Sequence, residues 1–101
     1  MITRSTKRIS LRALMIDDEL GTATAEGRAV GALFQELQER GIEVVQATSA
    51  EDGHSAIVSD SAIHMFLIDW TLDGDEDHSR ARGLIELVRS RNDKVAVFLI
   101  A

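Results

Sequence analysis

Two groups of acidic side chains directly follow apolar runs. Asp17 and Asp18 come after the run 13–16, and Asp69 ends the run 63–68. Carboxylates held close together disfavour one another's charge, and they are tolerated best around a hard cation such as Mg²⁺. Beside such a cation, Asp69 has the chemistry of a nucleophile toward a phosphoryl group. If the fold brings the three together, they therefore offer cation binding and phosphoryl transfer.

The elements that must position these acids are short strands alternating with helices. Four short apolar runs, each typical of a buried strand, lie at 11–16, 42–47, 63–69 and 95–101. Between them, apolar residues recur at helical spacing, as at Val30, Leu33, Phe34 and Leu37, and again at Ala81, Leu84, Ile85 and Val88. The first helix is predicted over 24–40 with Gly41 as its stop, and a short helix is predicted after the cap at Ser49.

The order β-α-β-α-β-α-β predicts an α/β doubly wound parallel sheet of the flavodoxin type, with helices on both faces. In the strand order 2-1-3-4-5, ligands bind at the carboxyl ends of the first and third strands, where the order reverses. Those ends carry Asp17, Asp18 and Asp69. We therefore expect these three side chains to converge.

Length and composition predict one domain over 11–101. The chain has 101 residues, 45% of them apolar and 28% charged, and no apolar run approaches the roughly 20 residues that cross a bilayer. With no cysteine in the sequence, a cytoplasmic location is the default expectation. The apolar run 95–101 would leave an unprotected strand edge. We therefore expect that a further helix, strand and helix follow it and complete the fold.

The charge distribution argues against nucleic acid as a partner. The net charge is −6, and all seventeen acids follow the basic start, which carries Arg4, Lys7, Arg8 and Arg12. An acidic body repels phosphates, and the basic start lacks interleaved aromatic residues. Residues 1–10 are predicted to be a basic flexible leader, with a targeting segment as the alternative.

The stretches "IDDE" at 16–19 and "FLIDW" at 66–70 resemble the phospho-receiver domains of two-component signalling. That resemblance implies a Mg²⁺ site at Asp17 and Asp18 and a phosphoacceptor at Asp69. The fourth strand of a receiver ends in Thr or Ser, whereas Ile100 stands at that position here. Without the hydroxyl, the switch that reports phosphorylation has no hydrogen-bonding partner. The receiver is therefore the alternative interpretation.

Three other stretches, "TSAEDG" at 48–53, "DGDEDH" at 73–78 and "VFL" at 97–99, have the joint spacing of a different family. They resemble the N-terminal domain of the bacterial ornithine, lysine and arginine decarboxylases, most of all the arginine-directed, acid-inducible type. The resemblance extends from about Leu14 to Ala101. It implies a receiver-like, non-catalytic domain that precedes a large pyridoxal-phosphate domain and assembles dimers of the parent protein into larger rings.

The catalytic lysine of that family lies in a Ser-x-His-Lys type motif, which this sequence does not contain. Lys7 and Lys94 are its only lysines, in the predicted leader and before a strand. No catalytic or cofactor-binding residue is therefore assigned to this chain, and pyridoxal phosphate is expected in the parent protein. No metal ligand is assigned either, apart from Asp17, Asp18 and Asp69 in the receiver alternative.

The remaining residues suited to chemistry receive structural interpretations. His54, His64 and His78 lack the spacing of a zinc site. Trp70 is expected to pack under the acidic loop 73–78 rather than to cover a ligand. That loop lacks the spacing of a calcium loop, so we expect it to be solvated. Its Asp75, Glu76 and Asp77 are candidates for contact with a basic partner surface, and acid would favour association by lowering self-repulsion.

Overall fold

The computed structural model describes residues 11–100, and the predicted leader over 1–10 lies outside the described residues. Strands and α-helices alternate in the order β1 (Arg12–Ile16), α1 (Ala25–Glu39), β2 (Glu43–Ala47), α2 (Ala50–Ser59), β3 (Met65–Asp69), α3 (Ser79–Arg91) and β4 (Ala96–Ile100). A short 3₁₀ turn, Leu72–Gly74, lies between β3 and α3. Each strand begins and ends within two residues of its predicted range.

The four strands form one parallel sheet in the order β2-β1-β3-β4. The chain passes from β1 outward to β2, then returns to β3 on the other side of β1. The strand order therefore reverses between β1 and β3. These two strands are paired up to their carboxyl ends, where Ile16 lies opposite Ile68. This arrangement confirms the predicted doubly wound class.

The residues predicted to begin the first two helices and to end the first one do so in the structure. The Thr24 Oγ1 atom accepts a hydrogen bond of 2.9 Å from the Gly27 amide at the start of α1. The Ser49 Oγ atom accepts one of 3.0 Å from the Asp52 amide at the start of α2. Gly41 follows α1 with a φ of +84°, a left-handed conformation that favours glycine and ends a helix.

Both faces of the sheet carry apolar side chains, but the helices cover them unequally. On the face covered by α2 and α3, the buried residues include Leu14, Ile16, Phe66, Ile68, Leu72, Ala81, Leu84 and Val88. On the face covered by α1, they are Ala13, Met15, Leu20, Val30 and Leu67. Because α1 alone covers its face, Leu33, Phe34 and Leu37 of its predicted stripe are only half-buried.

Strand β4 lies at one edge of the sheet and is the least covered of the strands. Phe98 and Leu99, which point to opposite faces, are 49% and 51% exposed. At the other edge β2 pairs with β1 alone. None of the helices formed by residues 11–100 combines the length and the apolarity that crossing a membrane requires.

Candidate functional site

The three predicted carboxylates converge at the carboxyl edge of the sheet. Asp17 and Asp18 follow β1, and Asp69 is the last residue of β3. Three carboxylate oxygens, one from each of these residues, lie within 4.8 Å of one another. Asp17 and Asp69 are both only 5% exposed. The predicted meeting of these side chains at the point where the strand order reverses is therefore confirmed.

Backbone amides of the turns that follow the strands hold the carboxylates in place. Each carboxylate accepts one such bond: Asp17 Oδ1 from Glu19 N (2.8 Å), Asp69 Oδ1 from Thr71 N (3.0 Å), and Asp18 Oδ1 from Asp73 N (3.2 Å). The Thr71 hydroxyl adds a bond of 3.2 Å to the same oxygen of Asp69. One oxygen of each carboxylate therefore accepts a hydrogen bond from the backbone.

Burial disfavours the charged forms of two of these side chains. Desolvation raises the pKa of Asp17 to about 6, and the negative charges of Asp69 and Asp18 act in the same direction. Desolvation also raises the pKa of Asp69, with Asp18 adding to the effect. Among residues 11–100, the ion pairs of Lys and Arg side chains do not include any of the three carboxylates. Their negative charge is therefore not neutralised by a side chain in this part of the molecule.

A cavity of about 560 Å³ opens in front of the carboxylates. Its lining comprises Asp17, Asp18, Glu19, Thr24, Glu26, Ala29, Val30, Leu33, Asp69, Thr71, Gly74 and Ile100. Ile100 pairs with Asp69 in the register of β3 and β4. An aliphatic side chain therefore occupies the position where a receiver carries its hydroxyl.

The donor set suits a hard divalent cation. Carboxylate oxygens are the ligands that Mg²⁺ prefers, and three of them from two neighbouring strand ends meet here. Asp17, Asp18 and Asp69 would be the residues that hold such an ion. The positive charge of the ion would offset the negative charge of a bound phosphoryl group.

The acidic loop 73–78 is attached to the site by Asp73, a role that the sequence did not reveal. The Asp73 amide donates to Asp18, while its Oδ2 atom accepts from the Ala50 amide and from Arg80, each at 3.1 Å. The side chain of Asp73 is 18% exposed. The expectation of a fully solvated loop is therefore wrong at its first residue, because Asp73 bridges the end of β1 and the starts of α2 and α3.

The other acids of this loop differ from one another in their surroundings. The carboxylate of Asp75 accepts hydrogen bonds from the Ser79 hydroxyl and the Arg80 amide at the start of α3. The Ser79 hydroxyl in particular lowers the pKa of Asp75. Glu76 and Asp77 are exposed. Of the three acids proposed to meet a basic partner, Asp75 thus also stabilises the start of a helix.

Trp70 packs against the loop, as predicted. Its ring is stacked on that of His78 with centroids 4.2 Å apart, and His78 Nδ1 donates to the Trp70 carbonyl at 2.8 Å. The guanidinium of Arg82 lies 5.6 Å from the Trp70 ring. Trp70 does not line the cavity in front of the carboxylates. His54 lies on α2 and His64 precedes β3, where its Nδ1 accepts from the Arg12 amide.

The fold is that of a receiver-like domain. A response regulator receiver protein from Pseudomonas putida has a similar structure, with a TM-score of 0.63 and 21% identity over 93% of this chain and 69% of that one. This likeness shows the fold alone.

Sequence comparison gives the family. Residues 25–101 match the family described as "Orn/Lys/Arg decarboxylase, N-terminal domain", and the chain belongs to this family. The biodegradative arginine decarboxylase of Escherichia coli (strain K12) is 29% identical over 91 residues. The match covers 89% of this chain and 12% of that relative.

Proposed function

We propose that this chain is the non-catalytic N-terminal domain through which a decarboxylase of basic amino acids assembles and is regulated. Its membership in the decarboxylase N-terminal family carries the proposal. In this proposal the parent enzyme uses pyridoxal phosphate, lies in the cytoplasm and forms dimers that join into larger rings. The chain spans only 12% of the arginine decarboxylase it matches, so the catalytic residues have ample room elsewhere in the parent protein.

The surroundings of Lys94 support placing catalysis outside this chain. A lysine that forms a Schiff base with pyridoxal phosphate needs a desolvated pocket. Lys94 is exposed in the turn before β4, and its amide donates to Asn92 Oδ1 at 2.9 Å. The other lysine, Lys7, lies outside the described residues.

One exposed apolar side chain and two exposed acids are candidates for contact in an assembly. Val58 on α2 is about half exposed, at 46%, and it lies away from the edge strand β4, which we expect further elements of the fold to cover. Large apolar side chains that remain accessible in a folded domain are typical of surfaces that contact other proteins. The exposed acids Glu76 and Asp77 offer a second, charged surface at the carboxyl edge of the sheet.

The test compares the full-length parent protein with a variant that lacks residues 1–101. We expect the shortened enzyme to decarboxylate its substrate as a dimer and to lose the larger assemblies, as measured by light scattering on a size-exclusion column. If the larger assemblies persist without residues 1–101, the assembly role is wrong.

Point substitutions then locate the charged contact. Glu76→Lys combined with Asp77→Lys should reduce assembly, while Glu39→Lys, which changes an exposed acid on α1, should not. Asp75 is left unchanged because it stabilises the start of α3. Equal assembly in both variants would exclude the acidic loop as a contact.

Regulation by acid is part of the proposal. A carboxylate with a raised pKa, such as Asp17, gains a proton in mild acid, and the lower negative charge reduces repulsion between neighbouring copies. Larger assemblies should therefore be favoured at pH 5.5 over pH 7.5 in sedimentation velocity experiments on the parent protein. The same size distribution at both pH values would contradict acid regulation.

The convergence of Asp17, Asp18 and Asp69 favours one second candidate, a phospho-receiver with Asp69 as the phosphoacceptor. Incubation with acetyl phosphate and Mg²⁺ followed by intact mass spectrometry separates the two functions. Our first proposal expects no phosphoryl adduct. An adduct that is lost in Asp69→Asn would favour the receiver.

A further inference from the structure

Helices α2 and α3 lie side by side on one face of the sheet and leave a groove between their first halves. Each helix follows a strand of the parallel sheet, so both begin at its carboxyl edge and end at its amino edge. The groove has a volume of about 560 Å³, and its lining includes Ala50, Ser55, Gly83 and Leu84. A Cβ atom at Gly83 would meet nothing within 4 Å, so this position is an open notch in the surface.

An apolar knob lies at the other end of the same two helices. Val58, one residue before the end of α2, is 46% exposed. The Arg91 side chain, from the last turn of α3, reaches across and donates to the Val58 carbonyl at 3.4 Å. Right-handed crossovers from β2 to β3 to β4 place successive helices side by side on one face. The helix expected after β4 would therefore lie beyond α3, on the side away from α2, and would leave groove and knob accessible.

Charge is divided between the two ends of this face. Glu51 and Asp52 lie in the first turn of α2, and Arg89 and Arg91 lie in the last turn of α3. All four are exposed, and none takes part in the ion pairs formed within residues 11–100. Arg80, which also lines the groove, is paired with an acid of its own chain. The face thus has an acidic end with a groove and a basic end with a knob.

We propose that this face of α2 and α3 packs against the same face of a second copy of the chain. A two-fold axis that lies in the contact plane and crosses the helices at right angles turns one copy end for end. Val58 of each copy then faces the groove of the other, and Glu51 of each copy lies near Arg91 of the other. A parallel arrangement would instead place like charges together. The surface is self-complementary in shape and in charge, as a two-fold contact requires.

This inference rests on the assembly role proposed above and names the surface that performs it. A second two-fold contact, added to the contact within each dimer, joins dimers into closed larger assemblies.

The test reverses the two charges in the full-length parent protein and measures assembly by sedimentation velocity. Glu51→Arg alone and Arg91→Glu alone should each raise the protein concentration needed for half-maximal assembly by at least about tenfold, because each contact then holds like charges at two places. The double variant should assemble as the natural protein does, because the exchanged charges again face each other. Arg28→Glu, which reverses an exposed cation on α1, is the control and should have no effect.

Two further variants test the fit of the knob in the groove. Val58→Asp places a charge in the contact, and Gly83→Gln fills the notch with a side chain whose Cβ atom meets nothing in its own domain. Both should weaken assembly by at least about tenfold. Gly83→Gln should at the same time unfold at a higher urea concentration, since glycine is a poor helix former. Its loss of assembly would then not be due to unfolding.

The outcomes separate this inference from the assembly role. If deletion of residues 1–101 removes the larger assemblies while neither single charge reversal weakens them, the domain assembles through another surface and the inference is wrong. If the single reversals weaken assembly and the double variant does not recover it, the face contacts a different part of the parent protein, which also overturns the self-contact. Persistence of the larger assemblies after the deletion would contradict the assembly role itself, and this inference with it.

Discussion

Asp17→Asn tests the electrostatics of the carboxylate cluster directly. The substitution removes a buried charge and keeps an oxygen that can accept the Glu19 amide. Burial raises the pKa of Asp17 from its ordinary value of 3.8 to about 6. The charged form of Asp17 therefore opposes folding, and removing the charge should make the protein more stable near neutral pH.

The magnitude follows from the pKa. The rise in the pKa of Asp17 from 3.8 to about 6 corresponds to a loss of about 3 kcal/mol in the free energy of unfolding for a group fully shielded from solvent. The conversion is about 1.4 kcal/mol per pKa unit. Because the cavity admits solvent to the cluster, the charge is partly screened, and we expect a gain of about 1–2 kcal/mol in the free energy of unfolding.

The pH dependence has a definite sign. Between pH 4 and 6 the native state holds a proton on Asp17 that the unfolded state has lost, so the stability of the natural protein decreases as pH rises through that window. Asp17→Asn lacks this contribution. The two proteins should thus be nearly equal in stability at pH 4 and should differ most above pH 6.

Urea unfolding followed by the fluorescence of Trp70, the single tryptophan, measures this difference at pH values from 4 to 7.5. The solutions contain a metal chelator so that no cation stabilises the cluster. Glu39→Gln, which neutralises an exposed acid on α1, is the control. A variant less stable than the natural protein at pH 7.5, or an advantage that does not grow with pH, would refute the reasoning.

Three further predictions concern contacts that hold the fold or the site in place. Gly27→Ala should lower the stability by about 1–3 kcal/mol, because a Cβ atom there would lie 2.7 Å from the Glu19 carbonyl oxygen. Gly31→Ala on the same helix meets nothing within 4 Å and should raise the stability by about 0.5–1 kcal/mol; urea unfolding distinguishes the two, and equal effects would contradict the packing. Arg12→Met should destabilise the protein at pH 7, because Arg12 binds Asp60 and Glu43. Arg12 lowers the pKa of Asp60, so this pair stabilises the fold above pH 3.8 and the effect should fade as pH falls below that value in a pH series of unfolding curves; an effect independent of pH would argue against the ion pair. Asp73→Gly removes the bridging side chain without straining its φ of +59° and should cost about 1–2 kcal/mol, whereas the exposed control Asp77→Gly should cost less in the same assay.

The features that depend on periodicity and on chain order could be predicted from the sequence. Apolar runs located the strands, since a strand buried in a parallel sheet is apolar on both faces. The convergence of Asp17 with Asp69 followed from topology alone, because the carboxyl ends of parallel strands share one edge of the sheet. The sequence also predicted that an aliphatic side chain, that of Ile100, ends β4 where a receiver has Thr or Ser.

The contacts of individual side chains across long sequence separations could not be predicted. Asp73 lies in a run of acids that is typical of a solvated loop, yet it meets Asp18 across 55 positions and Ala50 across 23. Nothing in composition or spacing distinguishes Asp73 from Asp75 or Asp77. The stacking of Trp70 on His78 likewise depends on the path of the loop between them, which periodicity does not specify.

The position of Asp73 connects the cavity with the surface proposed for assembly. Its amide donates to Asp18, and its carboxylate holds the first amide of α2 and the Arg80 side chain. The same loop carries the exposed acids Glu76 and Asp77. The carboxylate cluster and the charge offered to a neighbouring copy therefore share one structural element, and Asp73 is the residue that connects them.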